Sequence, residues 1–344
     1  MKDEDYLRRC IELAQIAEGN TYPNPLVGSV IVHNGKIIGE GFHERAGEPH
    51  AEINAIRSVR DKGLLPESTL YVSLEPCSHF GRTPPCAEAI KEIGFKRVVI
   101  GAMDINERVN GRGKALLEAA GIEVCSPLLE AECWELNKRF FTYHSKRRPF
   151  ITLKWASSAD GFLDKDYQPF SISNGLSKQW VHRMRSEEQA ILVGTRTALG
   201  DNPSLTTREV VGRSPIRLLI DLDLKVPRDF NIFNDEAETM VFNSQKEGRE
   251  DNVLYVRIQN KERLLEEMIE ALYQLQIQSV LVEGGGFTLG EFISHNLWDE
   301  AVVISNPSLY LDNGTKAPDF SFVPYKKEER LRDNLVRFYR NHHS

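Results

Sequence analysis

The sequence predicts an α/β protein built as two domains. Three observations carry this. Short apolar strands alternate with amphipathic helices along nearly the whole chain. The periodicity breaks at the basic run Lys146, Arg147, Arg148 and the Pro149 that follows it. The 344 residues exceed the roughly 150 that one domain commonly takes, so each half can bury its own core. The boundary falls at that break, giving domains 1–146 and 149–344, and the basic run reads as a solvated linker.

The first helix runs from Asp5 to Glu18, because Leu7, Cys10, Ile11, Ala14 and Ala17 recur at helical spacing and Gly19 supplies a stop. Cys10 therefore faces a core. Val27 to Val32 and Ile37 to Phe42 flank Asn34-Gly35, a dipeptide suited to the left-handed backbone of a two-residue hairpin. They form two antiparallel strands. Helix Ala51 to Arg60, strand Thr69 to Leu74, helix Ala87 to Ile93, strand Arg97 to Met103, helix Lys114 to Ala120, strand Ile122 to Ser126 and helix Glu130 to Phe141 complete the first half. The second half reads as strand Phe150 to Ala156, helix Leu176 to Glu187, strand Ala190 to Val193, strand Ile216 to Asp221 and a strand near Thr239 to Phe242. Helix Glu262 to Gln274, strand Ser279 to Val282 and a helix from Thr288 to His295 follow. No internal repeat links the halves, so duplication of one domain is not supported.

Composition removes several function classes. With 41% hydrophobic and 27% charged residues, the chain is neither disordered nor a coiled coil. Its 50 acidic residues exceed 43 basic ones, which disfavours a polynucleotide partner because phosphate backbones select basic surfaces. No stretch approaches the ~20 apolar residues of a membrane span, and the start MKDEDYLRRCIELAQ is too charged for a signal peptide. The expectation is a cytoplasmic protein without a membrane partner, its oligomeric state left open, a homo-oligomer included. Five cysteines in such a chain point to metal ligation or burial rather than disulfides. Cys125 and Cys133 read as core.

The residues richest in chemistry are His50-Ala51-Glu52, Pro76-Cys77 and Cys86. One imidazole and two thiolates suit a tetrahedral Zn²⁺ whose fourth position stays open for water, the catalytic arrangement rather than the closed structural one. Glu52 is then the proton carrier, since a carboxylate close to a ligand can exchange protons with water and a leaving amine without ligating the metal. The pattern is the signature of zinc deaminases. His50 opens one helix and Cys86 another, and the partial positive charge of two helix N-termini favours thiolate over thiol.

In the second half, strand Ser279 to Val282 runs into Glu283-Gly284-Gly285-Gly286 and then a helix. Glycines let a backbone approach a phosphate, and the unpaired N–H groups of a helix start face it. The spacing is neither G-x-G-x-x-G nor a Walker A loop, so the motif by itself fits a phosphate cradle or a tight turn equally.

At this point the chain resembles, over nearly its whole length, the bifunctional deaminase-reductase family of riboflavin biosynthesis. The first half of the resemblance lies in Thr21-Tyr22-Pro23-Asn24-Pro25, Val27-Gly28, His50-Ala51-Glu52 and Glu75-Pro76-Cys77-Ser78-His79-Phe80-Gly81-Arg82-Thr83-Pro84-Pro85-Cys86. The eight-residue insert between the cysteines is more specific than the short loop of cytidine deaminases in general. The second half lies in Leu153-Lys154-Trp155-Ala156-Ser157-Ser158-Ala159-Asp160-Gly161, Ile191-Leu192-Val193-Gly194, Thr197, Asp201-Asn202-Pro203-Ser204-Leu205-Thr206-Thr207-Arg208 and Val282-Glu283-Gly284-Gly285.

The resemblance implies an N-terminal cytidine-deaminase-like zinc domain and a C-terminal dihydrofolate-reductase-like reductase domain using NADPH. It implies that Asn24, His79 and Arg82 line the pyrimidine pocket. It implies cofactor contacts from Ala156, Ser171, Thr197, Asp201 and the loop Gly285, Gly286, Phe287, Thr288, Leu289, Gly290 and Glu291, and substrate contacts from Arg185, Leu205, Arg208 and Glu283. Arginines suit a phosphorylated pyrimidine because their planar fork matches phosphate oxygens.

Two stretches depart from the family. Asp104-Ile105-Asn106-Glu107 stands where Asp-Pro-Asn-Pro is usual, and Pro169-Phe170-Ser171-Ile172-Ser173 stands where Ser-x-Trp-Ile-Thr is usual, without the tryptophan. The implied function is hydrolytic deamination of 2,5-diamino-6-(5-phosphoribosylamino)pyrimidin-4-one, then NADPH-dependent reduction of the ribosyl side chain of the aminouracil product to ribityl. One rival is a zinc-dependent nucleoside or tRNA deaminase with an inactive reductase-like domain, which NADPH binding separates. The other is a structural-zinc module without catalysis, against which Glu52 and the three-ligand count argue.

Overall fold

In the computed structural model, residues 1–78, 84–105 and 110–341 are described. The chain divides into two compact units, Met1–Lys146 and Arg147–Ser344. The first begins with α1 (Asp3–Gln15), whose Leu7, Cys10 and Ala14 are fully buried, as the helical spacing requires. β1 (Gly28–His33) and β2 (Lys36–Phe42) pair antiparallel around Asn34 and Gly35, both with positive φ. Then come α2 (Ala51–Ser58), β3 (Thr69–Leu74), α3 (Cys86–Ile93), β4 (Arg97–Ala102), α4 (Arg112–Ala119) and β5 (Glu123–Cys125). The sheet order is β2-β1-β3-β4-β5, with β3, β4 and β5 mutually parallel. The connections that parallel strands demand are helical, so β3 delivers its C-terminal end beside the starts of α2 and α3.

The helix expected over Glu130 to Phe141 is two helices, α5 (Glu130–Leu136) and α6 (Lys138–Lys146). Asn137 breaks it: its buried amide accepts from the Leu26 N–H and donates to the Leu26 carbonyl, both at 2.8 Å. A distant backbone pairing thus overrides local helical periodicity.

The second unit contains β6 (Phe150–Ser158), α7 (Gly175–Glu187), β7 (Ala190–Gly194), α8 (Thr195–Asp201), β8 (Ile216–Ile220), β9 (Thr239–Asn243), β10 (Gly248–Glu250) and β11 (Val253–Arg257). It continues with α9 (Leu264–Gln274), β12 (Ser279–Val282), α10 (Gly286–Ser294), β13 (Glu300–Asn306), β14 (Lys327–Leu331) and β15 (Asn334–Arg340). Its ten-stranded sheet has the order β10-β11-β9-β8-β7-β12-β6-β13-β15-β14. From β11 to β13 every pairing is parallel, and the two ends add antiparallel strands. Such strands are buried on both faces, and β7 over Ala190–Val193 and β12 after Ser279 read accordingly as apolar runs. Ile151, Leu153, Leu192, Val280, Val282, Leu289 and Phe292 share the main core. Among the described residues, no helix is long and apolar enough to cross a membrane.

Candidate active sites

The first unit gathers one cluster of metal-ligating side chains among the described residues: His50, Cys77 and Cys86, their ligand atoms within 4.8 Å of one another. His50 is the residue preceding α2, Cys77 follows β3, and Cys86 opens α3. The His50 Nδ1 lies 3.5 Å from Cys77 Sγ and 3.3 Å from Cys86 Sγ, and the Cys86 N–H donates to Cys77 Sγ at 3.3 Å. Hydrogen bonding from Cys86 leads in bringing the Cys77 thiol down to about 4, with His50 adding to it. A nitrogen and two sulfurs converging with one side thiolate-like is a donor set that fits tetrahedral zinc with a position left for water.

Glu52 sits in the first turn of α2, only 3% exposed. Burial, and the nearby Cys77 charge after it, push its carboxyl up to about 7. A group balanced near neutrality both takes and returns a proton efficiently.

Asn24 is placed through a residue the sequence reading did not single out. The buried His43 ring stands edge-on to His50, centroids 5.2 Å apart. Its Nδ1 lies 3.2 Å from the Pro49 carbonyl, which only accepts, so Nδ1 carries the hydrogen. The Nε2 then accepts from the Asn24 amide at 3.0 Å, which fixes the direction of that amide. Glu75, given no role in the sequence reading, has a carboxylate that accepts from the N–H groups of Asp104, Gly111 and Lys114 at 3.3, 3.0 and 3.1 Å. It ties the start of α4 to the segment leading into Cys77. A Cβ on Gly113 would stand 2.1 Å from the Pro76 carbonyl, so only glycine allows that approach. His43 belongs to no spacing pattern that points to a site, and Glu75 was quoted in the sequence only as the first residue of the segment ending at Cys86. His79 and Arg82, expected at the pyrimidine pocket, and Asn106 and Glu107 of the departing loop lie outside the described residues.

In the second unit the register of β12 against β6 pairs Val282 with Leu153, which brings Glu283 beside Lys154 at the C-terminal edge of the parallel strands. Open α/β sheets bind ligands at this edge. The Glu283 carboxylate receives the Arg185 guanidinium through both oxygens, at 3.1 and 2.8 Å, and Lys154 Nζ stands 3.6 Å away. Burial works to raise the Glu283 carboxyl, but Arg185 and Lys154 outweigh it and hold it at about 2. Lys154, whose own ammonium burial lowers, was quoted in the sequence only as part of a segment. The exposed Arg208 is tied back by its N–H, which donates to His182 Nδ1 at 3.0 Å.

The cofactor residues are brought together in part. A Cβ on Gly285, the residue preceding α10, would lie 3.1 Å from Thr197 Oγ1, so α8 and the start of α10 face each other there. The stretch expected as a loop from Gly285 to Glu291 is instead the first turns of α10 from Gly286 onward. Helical geometry sends its side chains in different directions. Leu289 points into the core with Phe292, three residues on, while Phe287 is 73% exposed. Thr288 packs against Gly284, where a Cβ would approach its Cβ to 2.7 Å. Ala156 is half-buried against Phe162 and Ile172, Asp201 closes α8 exposed to solvent, and Leu205 is buried in the core with Ala198 and Leu219. Ser171 is exposed and its hydroxyl donates to the Ser173 carbonyl at 3.4 Å. The tryptophan absent near Ser171 has no substitute in Trp180, which lies on α7 and packs edge-on to Phe338.

Comparison with known proteins matches both halves of the chain. Residues 1–102 match the cytidine and deoxycytidylate deaminase zinc-binding region, and residues 149–315 match the RibD C-terminal domain. The riboflavin biosynthesis protein RibD of Aquifex aeolicus is 38% identical, covering 99% of this chain and 99% of that protein. The Escherichia coli protein of the same name is 37% identical over 90% of this chain and 89% of its own length. A crystal structure of a diaminohydroxyphosphoribosylaminopyrimidine deaminase/5-amino-6-(5-phosphoribosylamino)uracil reductase from Thermotoga maritima superimposes with a TM-score of 0.90 at 36% identity, covering 98% of each chain.

Proposed function

Since the chain belongs to the RibD family of riboflavin biosynthesis proteins, we propose that residues 1–146 form its zinc-dependent pyrimidine deaminase domain and residues 149–344 its NADPH-dependent reductase domain. The protein is a bifunctional enzyme of riboflavin biosynthesis, a deaminase and a reductase in one chain. The observation that carries the first assignment is the convergence of His50, Cys77 and Cys86 beside buried Glu52.

His50, Cys77 and Cys86 would hold zinc, which would supply the Lewis acidity that makes water nucleophilic at neutral pH. Glu52 moves a proton from the attacking water to the departing amine of the diaminopyrimidinone ribosyl phosphate. Asn24, its amide fixed by His43, orients the pyrimidine, with His79 and Arg82 as further pocket residues. In the second domain bound NADPH would supply the hydride for the reduction of ribosyl to ribityl. Thr197, Gly285, Gly286, Phe287, Thr288, Leu289, Gly290 and Glu291, with Ala156, Ser171 and Asp201, hold the cofactor; for the buried Leu289 the contact falls to its backbone. Arg185, Leu205, Arg208 and Glu283 orient the substrate, whose phosphate suits the Arg208 fork. The partner is a small phosphorylated pyrimidine, without nucleic acid or membrane, and the enzyme works in the cytoplasm.

Two expected results test the assignment. Cys86→Ser lowers bound zinc well below one per chain by metal analysis, because a hydroxyl replaces a thiolate in the donor set; full zinc in the folded variant removes Cys86 from the ligands. Arg208→Ala raises KM for the deaminated substrate in NADPH oxidation by roughly 10–100-fold, the scale of a lost charge-assisted contact. Ammonia release in the same variant stays at the wild-type rate, and collapse of both activities in a zinc-replete protein would refute independent sites.

A further inference from the structure

Sheet topology carries the turn between β14 and β15 to the edge where the reductase site lies. β13 runs parallel to β6 and pairs Ser305 with Ser157, while β15 runs antiparallel to β13 and pairs Leu335 with Ser305. Asn334, the first residue of β15, therefore stands at the C-terminal edge of the parallel strands, the edge that also carries Glu283 and Lys154. It is fully buried. Its amide oxygen accepts from the Asn174 N–H at 2.9 Å and from the Ser177 hydroxyl at 2.8 Å, and its amide nitrogen donates to the Ile172 carbonyl at 3.4 Å.

Asn174 completes the mooring from the other side. Its side chain caps α7 by accepting from the Ser177 N–H at 3.0 Å, and its amide nitrogen donates to the Leu331 carbonyl at 2.7 Å and to Asp333 Oδ1 at 2.6 Å. The start of α7 and the stretch before it are thus tied to the β14–β15 turn. Residues 169–173 form no helix or strand, and Ile172 is the one buried side chain among them, packed with Phe162, Leu311 and the half-buried Ala156. A single apolar anchor leaves a stretch several orientations, whereas a buried and satisfied hydrogen-bond network specifies one.

We propose that Asn334 is a positioning residue of the reductase, acting through the backbone of residues 172–174 to hold Ser171 in place for NADPH. The proposal rests on the reading that Ser171, beside Ala156, contacts the cofactor. No tryptophan supplies bulk in this stretch, so the course of its backbone decides what the cofactor meets. With the stretch ordered in the free enzyme, binding does not have to order it, and releasing it weakens cofactor binding without touching the reacting atoms. Arg185, near the far end of α7, has its own anchor in Glu283 at 2.8 Å. The substrate side therefore keeps its geometry when the start of the helix is released.

The experiment compares Asn334→Ala, Ser177→Ala, Ser171→Asp and Asn341→Ala in the full chain. NADPH binding by calorimetry, KM for NADPH and for the deaminated substrate, and thermal unfolding are measured on each. Asn341, just past the other end of β15, donates to the Trp298 carbonyl at 2.9 Å and to Asn296 Oδ1 at 2.7 Å, so Asn341→Ala loosens the same unit at the opposite edge of the sheet. The expected result for Asn334→Ala is Kd and KM for NADPH raised about tenfold, with kcat, KM for the deaminated substrate and ammonia release unchanged. Ser177→Ala, which removes one of the contacts, raises Kd for NADPH about threefold and carries the test if Asn334→Ala does not fold. Asn341→Ala lowers the unfolding temperature and leaves NADPH affinity as it was. Wild-type NADPH affinity in the folded Asn334→Ala or Ser177→Ala protein overturns the proposal, since the hydrogen bonds then serve the fold alone. An equal loss of affinity in Asn341→Ala overturns it as well, because general loosening then explains the effect. Ser171→Asp separates the two levels, because a carboxylate on that exposed residue repels the cofactor's phosphates. If it weakens NADPH binding and Asn334→Ala does not, only the positioning role fails, whereas unchanged binding in Ser171→Asp fails the cofactor reading and the proposal with it.

Discussion

Glu52→Gln retains zinc and lowers ammonia release by at least ~10²-fold, the scale expected when a positioned general acid/base is lost. Glutamine keeps the shape of the side chain but neither takes nor returns a proton. The substitution is gentle to the fold, because the wild-type carboxyl is already buried in the first turn of α2 and raised to about 7. A neutral amide there removes a desolvated charge rather than stranding one. His50, Cys77 and Cys86 keep their geometry, so metal content measured on the purified variant stays at the wild-type level. Reduction of the deaminated product, supplied directly, proceeds as before. Ammonia release near the wild-type rate would show Glu52 to be a bystander, and loss of zinc along with activity would make it a structural support of the metal site.

Glu283→Gln unfolds the second unit more easily and abolishes reduction. The carboxylate is buried and shared by Arg185 at 2.8 Å and Lys154 at 3.6 Å. Glutamine leaves two cations without a counter-charge in a desolvated site, and removing one partner of a buried pair destabilises by about 3–5 kcal/mol. For a unit of this size that is a fall of roughly 10 °C in its unfolding temperature.

The pH dependence gives an independent arm. The Glu283 carboxyl has a folded value of about 2 against an ordinary 4.5. Its depressed value means that its contribution is complete above about pH 4.5 and is lost as the pH falls toward 2. The stability gap between wild type and Glu283→Gln, followed by thermal unfolding, is therefore widest near neutrality and closes over that acid window. A gap that does not change with pH would sink the assignment of the effect to the carboxylate charge. Deamination is unaffected in either protein as long as the first unit remains folded.

The His50, Glu52, Cys77 and Cys86 set was legible because each residue sits at a boundary that local pattern marks: the start of α2, the end of β3 and the start of α3. Apolar alternation likewise foretold most of the parallel strands. It did not foretell β10 and β11, nor β13, β14 and β15, which lie beyond the last element read from the sequence at His295. Strand Glu300–Asn306 is specified by its pairing with β6 and β15 more than by its own pattern.

Short-range periodicity and ligand spacing are properties of neighbouring residues, so the sequence by itself determined the two-part α/β organisation and singled out the His50, Cys77 and Cys86 cluster with Glu52 beside it. Only the tertiary structure decided what depends on register and on contacts between distant segments. It set Lys154 beside Glu283 through the β6–β12 pairing, gave His43 to Asn24, broke the helix at Asn137 and turned Leu289 into the core. Each of these outcomes follows from partners far apart in the chain, whose hydrogen bonds and ion pairs exist only once the sheets have fixed them in place, and no spacing along the chain encodes them.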